Sequence, residues 1–312
     1  MIDIQEIIDS HKRIKPFIHR TQIVTNQSLN SLSSAKIFCK CENFQKAGAF
    51  KIRGATNVIE QLTVEDMERG IVTASSGNHG AALAMAVTRK GGKVTVVMPH
   101  NSSAKKIDNV RRNGGNIVWC EPNQESREDV LKKLVEDTGA IVVHPYNDKR
   151  IIAGQGTAAL EFLQDQPDLD IIVAPVSGGG LLGGTLCAAK NIKPDIQVFG
   201  AEPKEADDAY RSLQHGERVA NETTNTICDG LRAQIGILNF PIIQELVDGI
   251  ITLKENEIIE AMRMIWERLK IIVEPSSAIT LAAVLKDNAK FQNKKVGLIF
   301  SGGNIDIDDL PW

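Results

Sequence analysis

The sequence contains no long apolar stretch and no long run of charges of one sign. No segment approaches the roughly 18 consecutive apolar residues that a membrane helix needs, and the first residues carry acids where a secretory signal would carry bases. The 36 basic and 39 acidic residues are dispersed and leave a formal net charge of −3, so no tract suited to nucleic acid or anionic lipid is present. We therefore expect a cytoplasmic protein with no nucleic-acid or membrane partner.

Cysteine is also scarce, with five residues scattered over 312. Only Cys39 and Cys41 are close in sequence, and the alternation of residues 37–42 places both on one face of a predicted strand. A metal pair would need a second Cys or His pair at metal-binding spacing, and the sequence contains none. We therefore predict that Cys39 and Cys41 are buried thiols.

The chain alternates short β-branched segments with amphipathic segments of helical length. The predicted strands are residues 70–74, 93–98, 116–120, 141–144, 171–175, 197–202 and 295–300. Helices are predicted between them, including residues 154–164. This alternation is typical of open parallel sheets covered by helices. We predict a small domain of residues 65–147 and a large domain of residues 1–64 and 148–312.

A run of glycines follows the predicted strand at 171–175, at the edge where open α/β sheets bind ligands. Residues 178–184 read Gly-Gly-Gly-Leu-Leu-Gly-Gly and open a predicted helix, so unhindered backbone N–H groups converge there and can bind phosphate. The run lacks the Gly-Lys-Ser/Thr of a nucleotide P-loop and the spaced glycines of a dinucleotide site. A tight turn between strand and helix is the alternative interpretation.

Two more polar segments follow predicted strands. Residues 73–80 place Ser75, Ser76, Asn78 and His79 in one turn at the start of a helix, and this concentration of donors suits a carboxylate. N-capping explains one or two of these residues and not all four. The strand at 295–300 delivers the hydroxyl of Ser301 into the same crevice.

Lys51 lies between two apolar residues at the start of a predicted helix. Apolar neighbours desolvate the ammonium and lower its pKa, so that the neutral amine can form an imine. A surface lysine is the alternative interpretation.

Taken in order, four motifs resemble those of the fold-type II pyridoxal-phosphate enzymes of the serine/threonine dehydratase family. The motifs are Phe50-Lys51-Ile52-Arg53-Gly54-Ala55, Ser75-Ser76-Gly77-Asn78-His79-Gly80, Ser177-Gly178-Gly179-Gly180-Leu181 and Ser301-Gly302-Gly303-Asn304. The resemblance covers nearly the whole chain and is closest to the serine racemases of that family. It implies a tryptophan synthase β-like fold, with two open twisted α/β domains and the cofactor between them, a small amino-acid substrate and a homodimer.

The resemblance also implies which residues bind pyridoxal 5'-phosphate. They are Phe50, Lys51, Asn78, Gly178, Gly179, Gly180, Leu181, Glu274 and Ser301. Lys51 would be the Schiff-base lysine, the glycine turn would bind the phosphate, and Asn78 would hold the 3-hydroxyl of the ring. Ser301 would meet the pyridine nitrogen. A hydroxyl there should leave the nitrogen unprotonated, so the ring is a weaker electron sink and β-elimination can compete with full carbanion formation.

By the same resemblance, Ser75, Asn78 and His79 would hold the substrate carboxylate. Threonine dehydratases typically have Ala at the position of Ser76, whereas serine racemases and threo-3-hydroxyaspartate ammonia-lyases have Ser. Ser76 is therefore a candidate acid/base opposite Lys51, where inversion at Cα needs a second group. Arg127 matches a racemase position near the substrate side chain; an exposed helix cap starting at the preceding serine is the alternative.

Residues 200–208 resemble the divalent-cation site of the family. Glu202 and Asp208 would supply carboxylates and Ala206 a backbone carbonyl. Hard oxygen ligands favour Mg²⁺ or Ca²⁺. An acidic helix N-terminus after a strand is the alternative interpretation.

Together these features predict removal of the Cα proton by Lys51 or Ser76, followed by reprotonation or by loss of the β-hydroxyl to give a keto acid and ammonia. Two positions depart from the racemase pattern. Tyr146 stands where racemases place Asn, and residues 232–234 replace hydroxyl-bearing ones, with Arg232 suiting a second carboxylate such as that of 3-hydroxyaspartate. A cofactor-binding sensor or scaffold and a cysteine-synthase-like enzyme are further alternatives. A nucleotide effector, as in some racemases, is possible from sequence.

Overall fold

The computed structural model describes residues 1–75 and 77–312, apart from the side chain of Gln124. Ser76, for which the sequence predicts an acid/base role, lies outside the described residues. The helices are α1 (Ile4–Ile14), α2 (Gln27–Ser33), α3 (Lys51–Ile59), α4 (Val64–Glu68), α5 (Asn78–Arg89), α6 (Ala104–Arg112), α7 (Gln124–Thr138), α8 (Lys149–Asp165), α9 (Gly180–Ile192), α10 (Asp208–His215), α11 (Asn239–Leu246), α12 (Glu255–Leu269), α13 (Pro275–Lys286) and α14 (Asn288–Phe291).

The strands are β1 (Ile23–Val24), β2 (Lys36–Cys41), β3 (Ile71–Ala74), β4 (Val94–Pro99), β5 (Asn116–Cys120), β6 (Ile141–Val142), β7 (Ile171–Pro175), β8 (Gln197–Pro203), β9 (Gly249–Leu253) and β10 (Lys295–Phe300). Short 3₁₀ turns occupy Glu42–Phe44, Lys46–Gly48, Lys204–Ala206 and Asp229–Leu231.

The strands form two open sheets, described here for residues 1–75 and 77–312. One sheet has the order β5-β4-β3-β6 and is parallel. The other has the order β1-β2-β10-β7-β8-β9, with β1 antiparallel to β2 and the remaining pairs parallel. Parallel strands end at one edge, so the segments after β7 and β10 leave the larger sheet on the same side. The predicted α/β class with largely parallel sheets is confirmed.

The predicted strands are confirmed, but the helix expected at residues 154–164 begins earlier, at Lys149. The reason is a cap: the side chain of Asp148 accepts a hydrogen bond from the Arg150 N–H at 2.8 Å. The strand β9 was not predicted. Among the described helices, none is long and apolar enough to span a membrane.

Helix α8 lies between α3 and α9 and is buried over most of its length. A Cβ atom on Gly154 of α8 would lie 2.6 Å from the Cα of Gly54 in α3. A Cβ atom on Gly184 of α9 would lie 2.6 Å from the backbone nitrogen of Gly156 in α8. These missing side chains let the three helices approach closely, so α8 sets the spacing between the helix that begins at Lys51 and the helix that begins in the glycine run.

The prediction of buried thiols in β2 is confirmed, because Cys39 and Cys41 are both free and buried. Burial raises the pKa of the Cys41 thiol to about 12. Lys40 between them is also fully buried, where its ammonium donates to Glu161 Oε2 at 3.0 Å. The strand is therefore covered on both faces, and the buried lysine is stabilised by an acid from α8.

Candidate active site

The chain entering α3 is held against the end of β10. The Phe50 N–H donates to the Ser301 carbonyl at 2.9 Å, and Ala49 forms an isolated antiparallel bridge with Gly302. These contacts place Lys51, the first residue of α3, beside Ser301. The structure thus brings together two residues that are distant in sequence and that were both predicted to bind the cofactor.

The Lys51 ammonium points toward the segment after β6. It donates to the Pro145 carbonyl at 3.0 Å and lies 5.2 Å from the centroid of the Phe50 ring. Burial lowers the pKa of Lys51 from 10.5 to about 8, against the Glu274 carboxylate, which raises it. The predicted desolvation of this amine therefore has a physical cause in the fold, and its neutral form is accessible at mildly alkaline pH.

The glycine turn after β7 is packed against Tyr146. A Cβ atom on Gly178 would lie 2.4 Å from the Tyr146 ring, and one on Gly180 would lie 3.1 Å from the Tyr146 Cβ. Gly179 has φ +89°, a left-handed conformation that favours glycine. It is the N-cap of α9 and provides no side-chain cap, so the first N–H groups of this long helix are open to an anion. The turn fits a phosphate group.

Ser301 is buried at the end of β10. Its Oγ lies 3.1 Å from the Oγ of Ser277 and 3.4 Å from the carbonyl of Ser276, both in the first turn of α13. Ser277 also bonds both backbone groups of Gly302, at 2.6 and 2.7 Å. The Ser301 hydroxyl is therefore oriented by neutral groups, as expected for a partner of an unprotonated ring nitrogen.

Asn78 begins α5 and is bonded to two predicted site segments. Its Nδ2 donates to the Glu274 carboxylate at 2.9 and 3.2 Å, and its Oδ1 accepts from Asn304 Nδ2 at 2.8 Å. Burial and, next, the nearby Asp229 carboxylate raise the pKa of Glu274 to about 8. Asn78 and Glu274 thus lie together, with the amide in a fixed orientation.

The turn between β3 and α5 offers backbone and hydroxyl groups rather than a charged ring. Ser75 Oγ accepts from the N–H groups of Gly77 and Gly80, at 3.3 and 3.2 Å. The His79 ring is buried, with Nε2 3.3 Å from the Val143 carbonyl. Burial and, next, the charge of Lys51 lower the pKa of His79 to about 3. His79 is therefore neutral, and a carboxylate at this turn would be held by the N–H groups of a helix start.

Arg127 lies on α7 with its guanidinium near the Cys120 thiol, where its charge opposes the rise in pKa that burial causes in that thiol. Its Nε has no hydrogen-bond partner among the residues that the structure describes. The helix cap is Asn123, whose side chain accepts from the Ser126 N–H at 2.8 Å. A cap at Ser126 is therefore wrong, and Arg127 sits in the first turn with a free donor.

The predicted cation site contains two buried acids. Glu202 accepts from the N–H groups of Ala209 and Tyr210 at 3.0 and 2.8 Å, so it caps α10 as in the alternative interpretation. Burial raises the pKa of Glu202, and the neighbouring Asp208 raises it further; burial also raises the pKa of Asp208 to about 6. Two desolvated acids side by side fit a cation. The described residues hold no group of three or more His, Cys, Asp or Glu side chains suited to a metal.

Sequence reasoning missed Asn239, which ties the glycine turn to Tyr146. Its Nδ2 donates to the carbonyls of Tyr146 and Gly178, at 3.0 and 2.8 Å. No motif surrounds this residue, so only the fold reveals it. Arg232, which the sequence offered to a second carboxylate, donates through Nε and Nη2 to the Thr226 carbonyl, at 3.2 and 2.6 Å.

The glycine turn and Ser301 follow neighbouring strands of the larger sheet, and the Lys51 amine of lowered pKa lies at the start of the helix bonded to Ser301. This arrangement is that of a pyridoxal-phosphate enzyme. The pyridoxal-phosphate dependent enzyme family matches residues 14–302, and the chain belongs to that family. The chain is 50% identical to the serine racemase of Arabidopsis thaliana, over 99% of this chain and 95% of that protein. It is 45% identical to the beta-hydroxyaspartate dehydratase of Paracoccus denitrificans (strain Pd 1222), over 99% and 98%. Its fold matches that of maize serine racemase with a TM-score of 0.96, 47% identity and coverage of 98% and 94%.

Proposed function

We propose that this enzyme is a serine racemase that also acts as an L-serine (threonine) ammonia-lyase, with threo-3-hydroxyaspartate as the alternative substrate. The observation that carries the proposal is that the start of α3 meets Ser301, while Lys51 and the glycine turn meet residues 145–146, in a chain similar over its whole length to serine racemases. Similarity to a beta-hydroxyaspartate dehydratase supports the alternative.

The residues proposed to hold the cofactor are Phe50, Lys51, Asn78, Gly178, Gly179, Gly180, Leu181, Glu274 and Ser301. When bound, pyridoxal phosphate withdraws electrons from the substrate and so acidifies its Cα proton. The neutral Lys51 amine is proposed to accept that proton, since its pKa of about 8 matches the task of a general base near neutral pH.

The substrate carboxylate is proposed to lie at the start of α5. Ser75 already bonds two backbone N–H groups there, and the remaining first-turn N–H groups of α5 favour an anion. His79 would contribute through its backbone, because its ring contacts Val143. Ser76 is proposed as the second acid/base at Cα.

A 3-hydroxyaspartate substrate has a specific structural argument in Arg127. Its unpartnered Nε offers a donor for a β-carboxylate. Arg127 is also close enough to Tyr146 to lower the pKa of that phenol, which burial raises. Tyr146 in turn packs against the phosphate turn.

A substrate panel tests the function. Rates of racemisation and of keto-acid release are measured for L-serine, D-serine, L-threonine and the 3-hydroxyaspartate diastereomers. We expect racemisation and elimination of serine in the wild type, and neither in Lys51→Ala. Ser76→Ala should lose racemisation far more than elimination of L-serine. Preference for a hydroxyaspartate would select the alternative, and absence of any keto acid or racemate would indicate a cofactor-binding sensor or scaffold.

The same panel addresses the proposed cation and effector. Two buried acids, Glu202 and Asp208, with the carbonyl of Ala206, support a site for Mg²⁺ or Ca²⁺. A chelator should then lower activity or thermal stability, and Mg²⁺ should restore it. Adding ATP or ADP to the assay tests a nucleotide effector, for which a change in rate at saturating Mg²⁺ is the expected sign.

We propose further that the substrate lies between a small domain of residues 65–147 and a large domain formed by residues 1–64 and 148–312. The strands of the smaller sheet all fall between Ile71 and Val142, which supports these bounds. A cytoplasmic homodimer is proposed as well. Exposed Phe44 and Ile272, on segments joined through Asn43, offer an apolar surface for it, and light scattering of the purified protein tests the mass.

A further inference from the structure

We propose that Arg53 is a positioning residue that fixes the start of α3 and so sets where the Lys51 amine lies. This inference rests on the proposed function, in which Lys51 binds the cofactor. Arg53 follows Lys51 by two residues, about 200° around the helix. Lys51 therefore points to Pro145, whereas Arg53 points into the protein on the opposite side, where it is fully buried.

The Arg53 guanidinium is saturated by hydrogen bonds. Nε and Nη2 donate to Glu42 at 2.7 Å each, Nη1 and Nη2 donate to Glu161 at 3.0 and 2.7 Å, and Nη1 also donates to Thr157 at 3.2 Å. These bonds form two carboxylate forks of the kind that only arginine makes. The rigid fork geometry fixes the direction as well as the distance of each contact.

The partners of Arg53 come from different elements. Glu42 lies in the 3₁₀ turn after β2, while Thr157 and Glu161 lie on α8. Lys40 of β2 adds a second cation bonded to Glu161. Two cations and two carboxylates balance, and burial lowers the pKa of His11 of α1, whose Nδ1 lies 3.6 Å from Glu161 Oε1. With His11 neutral, the cluster carries no net charge toward Lys51. Its influence on the amine is therefore geometric: it ties the first turn of α3 to both neighbours.

Stability alone does not explain this cluster. Burying four charges carries a desolvation cost that their attraction offsets only with good geometry, and apolar replacements of such clusters are often neutral or stabilising. The start of α3 is otherwise held by the bond from the Phe50 N–H to Ser301, the bridge of Ala49 with Gly302 and the bond from the Gly54 N–H to Gln155, and Phe50 supplies no side-chain cap. The cluster adds a fixed anchor on the face of α3 opposite Lys51.

The test is Arg53→Lys, which keeps the charge and loses the forks, beside the control Arg20→Lys. Arg20 bonds Gln164 and Asp165 at the far end of α8 and touches neither α3 nor the site residues. Three quantities are measured: the pH midpoint for acylation of Lys51 in the apoprotein by competitive labelling, the Kd for pyridoxal phosphate, and kcat and KM separately.

For Arg53→Lys we expect the labelling midpoint to move up from about 8 toward 10.5, because a loosened helix start exposes the amine to water. We expect Kd for the cofactor to rise at least tenfold and kcat to fall about 10- to 100-fold, with KM within about twofold. Arg20→Lys should change none of these. A midpoint, Kd and kcat within twofold of the wild type would overturn the inference.

If Arg53→Lys does not fold, Thr157→Val gives the second test, because it removes one of the five bonds without changing charge. It should move the labelling midpoint and Kd in the same directions, by about two- to fivefold in Kd for the loss of one of several bonds; no movement overturns the inference. Borohydride reduction of the wild type separates the two claims. Cofactor fixed to another residue sinks the proposed function together with this inference, whereas cofactor on Lys51 with unchanged variants sinks only the inference.

Discussion

At the scale of single residues, the buried charge of Lys51 lowers the stability of the folded protein. Burial lowers its pKa from 10.5 to about 8 in the fold. Between pH 8 and pH 10.5 the unfolded chain therefore binds more protons than the folded chain, and folding becomes more favourable as the pH rises through this window. The whole penalty is present below about pH 8 and disappears above about pH 10.5.

We expect apoprotein carrying Lys51→Met to be more stable than the wild type below pH 8, and the difference to vanish as the pH approaches 10.5. Urea titrations of both proteins across this range give the free energies of unfolding. In a Glu274→Gln background the window should begin at lower pH, because Glu274 raises the pKa of Lys51. A difference that stays constant from pH 8 to 10.5 would contradict the lowered pKa.

The lowered pKa of Lys51 could be predicted from sequence because its apolar neighbours, Phe50 and Ile52, are adjacent in the chain. The opposing effect of Glu274 could not, since the fold alone brings that acid near. For His79, the sequence pattern did not reveal where the side chain lies. Its place in a polar turn suggested a ligand for carboxylate, but its side chain packs inward on Val143, and no local pattern distinguishes a ring that points in from one that points out.

At the scale of helices, the spacing of α3, α8 and α9 depends on glycines without side chains at the crossings. A Cβ on Gly184 would meet the Ile152 carbonyl at 2.4 Å, and backbone cannot move aside cheaply. The neighbouring Gly183 has more room, with Asn239 Oδ1 at 3.2 Å and other atoms at 3.9 Å. Gly184 and Gly183 are therefore a test position and its control position within α9.

Gly184→Ala should lower the free energy of unfolding by about 1–3 kcal/mol, the usual cost of overpacking, and weaken cofactor binding by displacing the start of α9. Gly183→Ala should stay within about 1 kcal/mol of the wild type, because a better helix former offsets its milder contact. Thermal or urea unfolding and a cofactor titration measure both effects. Equal losses in the two variants would show that the α8 crossing does not set the position of the turn.

The element pattern also shows what a sequence can and cannot supply. Strands β3 to β8 were predicted because strands of parallel sheets read as short β-branched runs between segments of helical length, and the fully buried β7 is the clearest case. The glycine run at 178–180 was found because a phosphate turn needs bare backbone. The glycines at 154 and 156 gave no such signal, and Gly184 was taken only as part of the glycine run, since a helix crossing brings together residues from different segments. Gly154 was even taken as the start of a helix that begins at Lys149.

At the scale of the whole molecule, an ion pair among the described residues joins the helical layer of the smaller sheet to that of the larger sheet. Lys106 of α6, beside the smaller sheet, pairs with Asp229 in the 3₁₀ turn beside the larger sheet. Both charges act on buried Glu274: Asp229 raises its pKa and Lys106 lowers it. Glu274 accepts a hydrogen bond from Asn78 of α5, which packs on the smaller sheet. The ionisation of Glu274 is therefore linked to the contact between the helices of the smaller sheet and those of the larger sheet.

This linkage predicts that two substitutions shift the pKa of Glu274 in opposite directions. Asp229→Asn removes an anion, so the pKa of Glu274 should fall below its value of about 8, whereas Lys106→Met removes a cation and should raise it. Carbon-13 NMR of the glutamate carboxyls follows the titration, with Glu274→Gln identifying the resonance. Each variant should cost at most about 1 kcal/mol of stability, because the pair is partly exposed. Both variants lose the Lys106–Asp229 pair and so loosen the same contact. If the pKa of Glu274 shifts in the same direction in both, that loosening controls its pKa, and the direct charge of Lys106 and Asp229 does not.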